Sequence, residues 1–370
     1  MYINRLELSG FRNYRSLLIE PSENINIFKG RNAQGKTNLL ESIYMAGTGK
    51  SFRTVRETEI INRESTFSRV QCRFISDERD FDIKVFLQPG RKRVELNGVY
   101  RRGYPLGWPG VVLFTPDDLF LVKGSPSVRR RFLDLEIGPF NPQYGNTLAV
   151  YARIVLQRNK LLKEVRSKRQ KRTALEVWNE QICRYGAKLT AMRIDLLVKF
   201  RPLIRFLHRE LTGGKEDLDI TYISSLKAVD PDGEEKIYER FKEVLYSIES
   251  REIEYAQSMA GPHRDDLSFF INGMDAKTYG SRGQQRTLVL SLKIFQIRQW
   301  REEVNDYPVL LLDDVLFELD SERRFSLAEH IGEGIQAFIT CTDEDDFNSV
   351  AKGVCRKKVY NVFDGKVTAG

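Results

Sequence analysis

The chain has 370 residues, 41% of them hydrophobic and 30% charged, a balance that suits one large or two ordinary packed domains and excludes a disordered chain. No run approaches the ~18 consecutive apolar residues of a membrane span, and the opening MYINRLELSGFRNYR lacks the apolar core and cleavage site of a signal peptide. The net charge of +8 is uneven: between Ser125 and Arg209 stand 19 Lys and Arg against 6 Asp and Glu, a local excess of 13 between net acidic flanks. Such asymmetry points to a polyanionic partner, with a merely solvated helical surface as the alternative. Cys72, Cys183, Cys341 and Cys355 are scattered, with no CxxC and no nearby histidine, as expected of free thiols in a reducing cytoplasm.

In chain order, Ile3, Leu6 and Leu8 alternate as a strand, and Gly10 and Asn13 mark a turn. A second strand, Ile25–Phe28, runs into Gly30, and the spacing of Leu39, Leu40, Ile43 and Tyr44 predicts a helix after Thr37. Antiparallel strands are expected between Arg69 and Val99, with turns at Pro89-Gly90 and Asn97-Gly98. Val111–Phe114 is a further apolar strand that stops at Pro116.

The texture changes near Ser125 and turns helical from about Asn146 to Leu211. Leu175, Trp178, Ile182, Tyr185, Leu189, Met192 and Leu196 form an a/d heptad seam. An earlier helix (Leu148, Tyr151, Val155, Leu162) could pair with it across the basic run 166–172 as a hairpin or arm; an ordinary helix bundle is the alternative. After Gly213-Gly214 come a strand at Leu267–Asn272, a helix from about Gly283 to Trp300 and an apolar strand at Val309–Leu312. The expected fold is α/β, a mixed-sheet head with a phosphate loop, interrupted by a helical, coiled-coil-like arm. The expected division is 1–125 for the N-terminal part of the head, 126–250 for the inserted basic arm and 251–370 for the C-terminal part.

Residues Gly30, Arg31, Asn32, Ala33, Gln34, Gly35, Lys36 and Thr37 fit GxxxxGK[ST], with a strand before and a helix after. Glycines let such a loop turn its backbone N–H groups inward onto phosphate oxygens, and the following helix adds its positive end. Lys36 would reach the β and γ phosphates of ATP and Thr37 would ligate Mg²⁺; with Asn38 these residues are the expected nucleotide contacts. The second carboxylate that this chemistry needs comes from Val309-Leu-Leu-Leu-Asp313-Asp314. Asp313 would hold the metal and Asp314 would polarise the attacking water.

In this order the pieces resemble the ABC/SMC class of ATPases. Gly280-Ser281-Arg282-Gly283-Gln284 is similar to that class's signature, and Phe317–Asp320 stands at the spacing of its D-loop. Within the class, GFRNY (10–14), GRNAQGKTNLLE (30–41), SFR (51–53), FTPDDLFLVKGSPSVRRRFLD (114–134), GPHRDDL (261–267), SRGQQRT (281–287) and LLLDDVLFELD (310–320) resemble the RecF family of bacterial DNA recombination and repair ATPases. The resemblance implies an ATP-dependent homodimer in which Ser281, Gly283 and Gln284 of one copy close over the loop of the other. It also implies binding to double-stranded DNA and to single-strand/double-strand junctions, cooperation with RecR and RecO in assembling RecA, and weak, DNA-stimulated hydrolysis used as a switch. Two departures from the wider class predict slow turnover. Asp314 stands where glutamate is usual, and the switch histidine is replaced by one of Thr340, Cys341 or Thr342. No clear Q-loop glutamine is present, and Phe114–Asp117 is its expected counterpart.

For DNA the expected contacts are Arg129, Arg130, Arg131, Arg166, Lys168, Arg169, Lys171 and Arg172, mostly to backbone phosphates. The Arg129–Arg131 triplet has an equal claim as an intramolecular brace, and the 166–172 loop as a flexible tip. His263 could be catalytic, although a structural place in a turn near the nucleotide fits better. A membrane transporter's nucleotide-binding subunit and a non-hydrolysing, ATP-bound DNA clamp are the competing functions.

Overall fold

The computed structural model describes residues 1–77, 79–101, 109–138, 140–228, 232–315, 323–324, 327, 334–342 and 357–370. Contacts divide the chain into one unit of 1–118 with 292–370 and a second of 119–291.

The first unit holds two sheets. One is antiparallel, in the order β2-β1-β4-β5-β6-β7: β1 (Tyr2–Phe11), β2 (Tyr14–Ile19), β4 (Ser68–Ile75), β5 (Phe81–Gln88), β6 (Arg91–Leu96) and β7 (Val99–Arg101). Its period of two is plain in β5, where Phe81, Ile83, Val85 and Leu87 are buried and the residues between them are not. This face shares one core with Leu39, Leu40 and Ile43 of α1 (Lys36–Thr48). The first turn falls at Arg12-Asn13, with Arg12 at φ 51°, and the expected turn marker Gly10 lies inside β1.

The other sheet runs β15-β14-β3-β13-β12-β8: β3 (Ile25–Lys29), β8 (Val111–Phe114), β12 (Val309–Leu312), β13 (Ala337–Cys341), β14 (Lys357–Phe363) and β15 (Lys366–Ala369). Every pairing is parallel except β14 with β15. All residues of β12 and β13 are buried, the signature of parallel strands covered on both faces. Parallel strands bring their carboxyl ends to one edge, where open α/β sheets bind ligands. The order has a consequence for chemistry: β13 lies between β3 and β12, so Ile339 pairs with both Ile27 and Leu312.

The second unit contains α2 (Phe120–Lys123), α3 (Pro126–Ile137), α4 (Pro142–Arg166), α5 (Glu176–Leu211) and α6 (Glu234–Tyr255). It also has a small antiparallel sheet of β9 (Leu218–Ile223), β10 (Asp266–Ile271) and β11 (Met274–Asp275). α7 (Arg282–Val304) spans the division between the units. α4 and α5 fold back on each other around the 167–171 turn, and α6 packs on both. The buried stripe of α5 is therefore wider than a two-helix seam. Ile182, Cys183, Gly186, Ala187, Leu189, Thr190, Arg193 and Ile194 are all buried, whereas Trp178, Tyr185 and Met192 are only half-buried. A helix covered by two others needs apolar residues beyond positions a and d. Residues 251–291, expected to belong with the C-terminal head, make their contacts in the helical unit, because β10 pairs with β9 and packs on α3.

Candidate nucleotide site

β3 delivers the loop 30–35 to the carboxyl edge, where the Gly30 N–H donates to the Cys341 carbonyl (3.2 Å). Gly35 sits at φ 118°, and a Cβ there would come within 2.7 Å of the Tyr14 hydroxyl, which itself donates to the Gly35 carbonyl at 3.0 Å. Only glycine meets both conditions. The start of α1 has no side-chain cap and no acidic residue, so its N–H groups and positive dipole end face the loop. Lys36 is buried (4% exposed) and donates from Nζ to the Gly30 (2.6 Å) and Arg31 (3.2 Å) carbonyls.

The other loop residues divide by role. Arg31, Asn32 and Ala33 are exposed, with Ala33 in the left-handed region. Gln34 instead braces the β14–β15 turn: its Oε1 accepts from the Asp364 N–H (2.8 Å) and its carbonyl from Gly365 (3.3 Å) and Asn13 Nδ2 (3.0 Å). The Asn38 amide is likewise committed, donating to Asn13 Oδ1 (2.8 Å) and accepting from Arg53 (2.6 Å).

Across the edge, the Thr37 hydroxyl donates to Asp313 Oδ1 at 2.9 Å, joining residues 276 positions apart. The Asp313 N–H donates to the Phe114 carbonyl (2.9 Å), which places the expected Q-loop counterpart beside this strand. Asp313 is 7% exposed, and burial pushes its carboxyl above the usual range, partly offset by donation from Thr340 and Thr37. No Lys or Arg forms an ion pair with it among the described residues. A buried carboxylate held only by hydroxyls, one of them from the loop motif, fits a divalent cation. Asp314 is half-buried at φ 52°. Of the three expected substitutes for a switch histidine, Thr340 reaches the pair: its Oγ1 lies 2.9 Å from Asp313 Oδ1 and 3.2 Å from Asp314 Oδ1, and it accepts the Asp314 N–H at 2.9 Å. The D-loop stretch Phe317–Asp320 lies outside the described residues.

Sequence reasoning assigned no role to Arg12, Glu41 or Arg53. Glu41 is fully buried one turn beyond Thr37 and takes a two-point contact from Arg12 (2.9 and 2.7 Å). Together with Asn13, Asn38, Arg63 and Lys366, Arg12 and Arg53 line a cleft of about 1050 Å³ beside the loop. One signal was legible, since Glu41 is an acid on the buried side of an otherwise apolar helix turn.

The signature residues lie in the second unit, at the start of α7. There the Ser281 N–H donates to Gln284 Oε1 (2.9 Å) and the Gln284 N–H to Ser281 Oγ (3.2 Å), a capping box. Ser281 is exposed, and Gly283 and Gln284 are half-buried. His263 belongs to the same unit. Its Nε2 donates to the Ser258 carbonyl (3.1 Å), so Nδ1 accepts from the Tyr151 hydroxyl (2.7 Å), and burial pushes its pKa down to about 4.

The basic residues separate into two groups. Arg129 is 3% exposed and gives two bonds to Asp266 (2.7 and 2.9 Å) and others to the Leu121, Val122 and Gly124 carbonyls. Buried and bonded through all three nitrogens, it is a brace. Arg130 bonds the Asp265 carbonyl (2.6 Å), while Arg131 is exposed. At the hairpin tip Arg166, Lys168, Arg169, Lys171 and Arg172 are all exposed. Arg172 pairs with Glu249, and Arg166 reaches the Glu254 carbonyl (3.4 Å). Lys168, Arg169 and Lys171 form no ion pair among the described residues.

Loop, carboxylate strand and sheet order define a head of the P-loop ATPase class, and the family profile described as AAA domain matches residues 5–258. The fold alone is shared with the head of an SMC protein bound to the C-terminal winged-helix domain of ScpA (TM-score 0.54, 16% identity, covering 100% of this chain and 98% of that one). Full-length relatives narrow the class. The DNA replication and repair protein RecF of Pelotomaculum thermopropionicum is 53% identical over 368 residues, covering 100% of both chains, and that of Desulforamulus reducens is 46% identical over 353 residues, covering 95% of each. A structure of the recombination mediator protein RecF with ATP, in the RecFOR pathway, superposes with a TM-score of 0.91 at 31% identity, covering 100% of this chain and 97% of that one. The chain belongs to the RecF family of DNA replication and repair proteins. Among the described residues no helix is long and apolar enough to cross a membrane.

Proposed function

We propose that the chain is an ATP-gated DNA-binding repair protein that hydrolyses ATP slowly. The observation that carries this is the Thr37–Asp313 bond of 2.9 Å, which closes the phosphate loop onto the carboxylate strand. Lys36 and the open start of α1 would hold the phosphates. Thr37 and Asp313 would hold Mg²⁺, which supplies charge neutralisation when bound. Asp314 would orient the attacking water. The arginine-lined cleft beside Asn38 would receive the rest of the nucleotide.

Hydrolysis in this reading needs a further group to close over the γ-phosphate. Ser281, Gly283 and Gln284 of a second copy would supply it, their capping box keeping the helix start ordered until an anion arrives. Dimerisation would then follow ATP, and hydrolysis would release the dimer. Lys168, Arg169 and Lys171, with Arg166, Arg172 and Arg131 beside them, are the phosphate contacts this reading retains for double-stranded DNA and junctions. The RecFOR pathway named for the relative with ATP supports cooperation with RecO and RecR, with RecA assembly as the proposed outcome. The relatives named above are DNA replication and repair proteins rather than transporter subunits.

Sedimentation in ATP, ADP or no nucleotide, with and without duplex DNA, tests the reading. Dimers should form with ATP alone, bind DNA more tightly than monomers, and persist in Lys36→Arg, which should bind ATP without hydrolysing it. A monomer in every condition would remove the composite site. Phosphate release separates the slow ATPase from a clamp that only binds.

A further inference from the structure

We infer that Thr340 is a positioning residue for hydrolysis, setting the orientation of Asp314 through one hydroxyl shared between the two carboxylates. The inference rests on the hydrolysis reading above and deepens it. Its starting point is the sheet order. β13 separates the loop strand from the carboxylate strand, and Ile339 is in register with Leu312, so the next residue on β13 lies beside Asp313 and Asp314. That residue is Thr340, 1% exposed, between Ile339 and Cys341 in a strand otherwise of apolar residues and cysteine. The strand would form with valine there, since Thr and Val share a β-branched shape and β preference. The strand itself therefore does not require the hydroxyl.

Four polar groups lie within reach of that hydroxyl. The Asp314 N–H donates into Oγ1 at 2.9 Å, holding a non-glycine residue at φ 52°. The single Thr340 proton then faces two carboxylate acceptors, Asp313 Oδ1 at 2.9 Å and Asp314 Oδ1 at 3.2 Å, with the Leu312 carbonyl farther away at 3.5 Å, and can serve only one at a time. Asp313 Oδ1 already accepts from Thr37 at 2.9 Å. When the Thr340 proton turns to Asp314, it pins Oδ1 and leaves Oδ2, which has no hydrogen-bond partner among the described residues, as the oxygen for a water. Aspartate is one methylene shorter than the glutamate usual at this position, so its reach depends more on how it is held.

Thr340→Val and Thr340→Ser in the full-length protein test this. The readouts are affinity for a fluorescent ATP analogue with Mg²⁺, ATP-driven dimerisation by sedimentation, and kcat and KM from phosphate release. Thr340→Val should keep nucleotide affinity and KM within about 3-fold and still dimerise, while kcat falls about 10-fold or more and the ATP dimer lives longer. Thr340→Ser should restore kcat to within about 3-fold of the parent. Equal kcat in parent and Thr340→Val would overturn the inference, as would a loss of binding that tracks the loss of turnover or a serine variant as slow as valine. A parent protein that releases no phosphate would remove the hydrolysis reading itself, and the parent control alone would show it.

Discussion

Both units bury paired charge, and the first also buries charge without a counter-ion. In the second unit every buried cation has its anion. Arg158, fully buried, bonds Glu252 (2.5 Å), Asn179 (2.9 Å) and Ser258 (2.8 Å), and Arg193 bonds Asp134 (2.8 Å), Tyr144 (3.0 Å) and the Pro262 carbonyl (2.8 Å). In the first unit Glu41 pairs with Arg12 and Lys293 with Asp118, whereas among the described residues the Asp313 carboxylate bonds only hydroxyls and the Lys36 ammonium only carbonyls. Satisfied networks specify a structure; charge left without a counter-ion is what a charged ligand can complete. Asp265 of the second unit is also buried against hydroxyls, so what singles out Asp313 is that one of its hydroxyls comes from the phosphate loop.

Substitutions can break that comparison. The largest effect should come from Asp313→Asn, which lowers hydrolysis roughly 100-fold or more because a bound metal contributes several kcal/mol to the transition state. The same variant should be no less stable than the parent at pH 7, since it removes a penalised buried charge. Parallel phosphate-release and urea-unfolding measurements check both halves, and clear destabilisation would mean the carboxylate is structural. Arg158→Met should do the reverse. It strands Glu252 and should cost about 3–5 kcal/mol of unfolding free energy in denaturant titration.

A smaller effect is expected from His263. Its folded pKa of about 4 lies below the unfolded value near 6.5, so the unfolded chain binds the extra proton first as pH falls. Stability should be constant above about pH 7.5 and decline by about 3 kcal/mol by about pH 4. His263→Gln should lack that component in unfolding curves measured across the range. The smallest effect belongs to the hairpin tip. Replacing Lys168, Arg169 or Lys171 by alanine should leave stability unchanged and reduce the salt slope of DNA binding by roughly 0.9 for each true phosphate contact. Arg129→Ala should instead lower stability, because its partners are Asp266 and three carbonyls. A tip variant with an unaltered slope would return Lys168 to the status of an ordinary surface lysine.

Much of the head was legible in the residues. Val309–Leu312 and Val111–Phe114 are strands with the expected ends, since short apolar runs closed by acids or proline have little other use. The loop from Gly30 to Thr37 sits between strand and helix as its spacing required. The DNA candidates were less legible. Charge alone does not distinguish Arg129, buried against Asp266, from Lys168 at an exposed tip, because the partner lies 137 residues away. The heptad seam of α5 misled in the same way: the spacing records one covered face, and α6 covers another.

The phosphate loop, the carboxylate strand and the basic inserted region could be read from the residues alone, because local patterns of glycine, charge and apolar period suffice for each. What stands between loop and carboxylates came from the packing of the whole chain. Strand order is set by how whole faces pack, and it inserted β13, and with it the Thr340 hydroxyl, between residues that no local pattern connects.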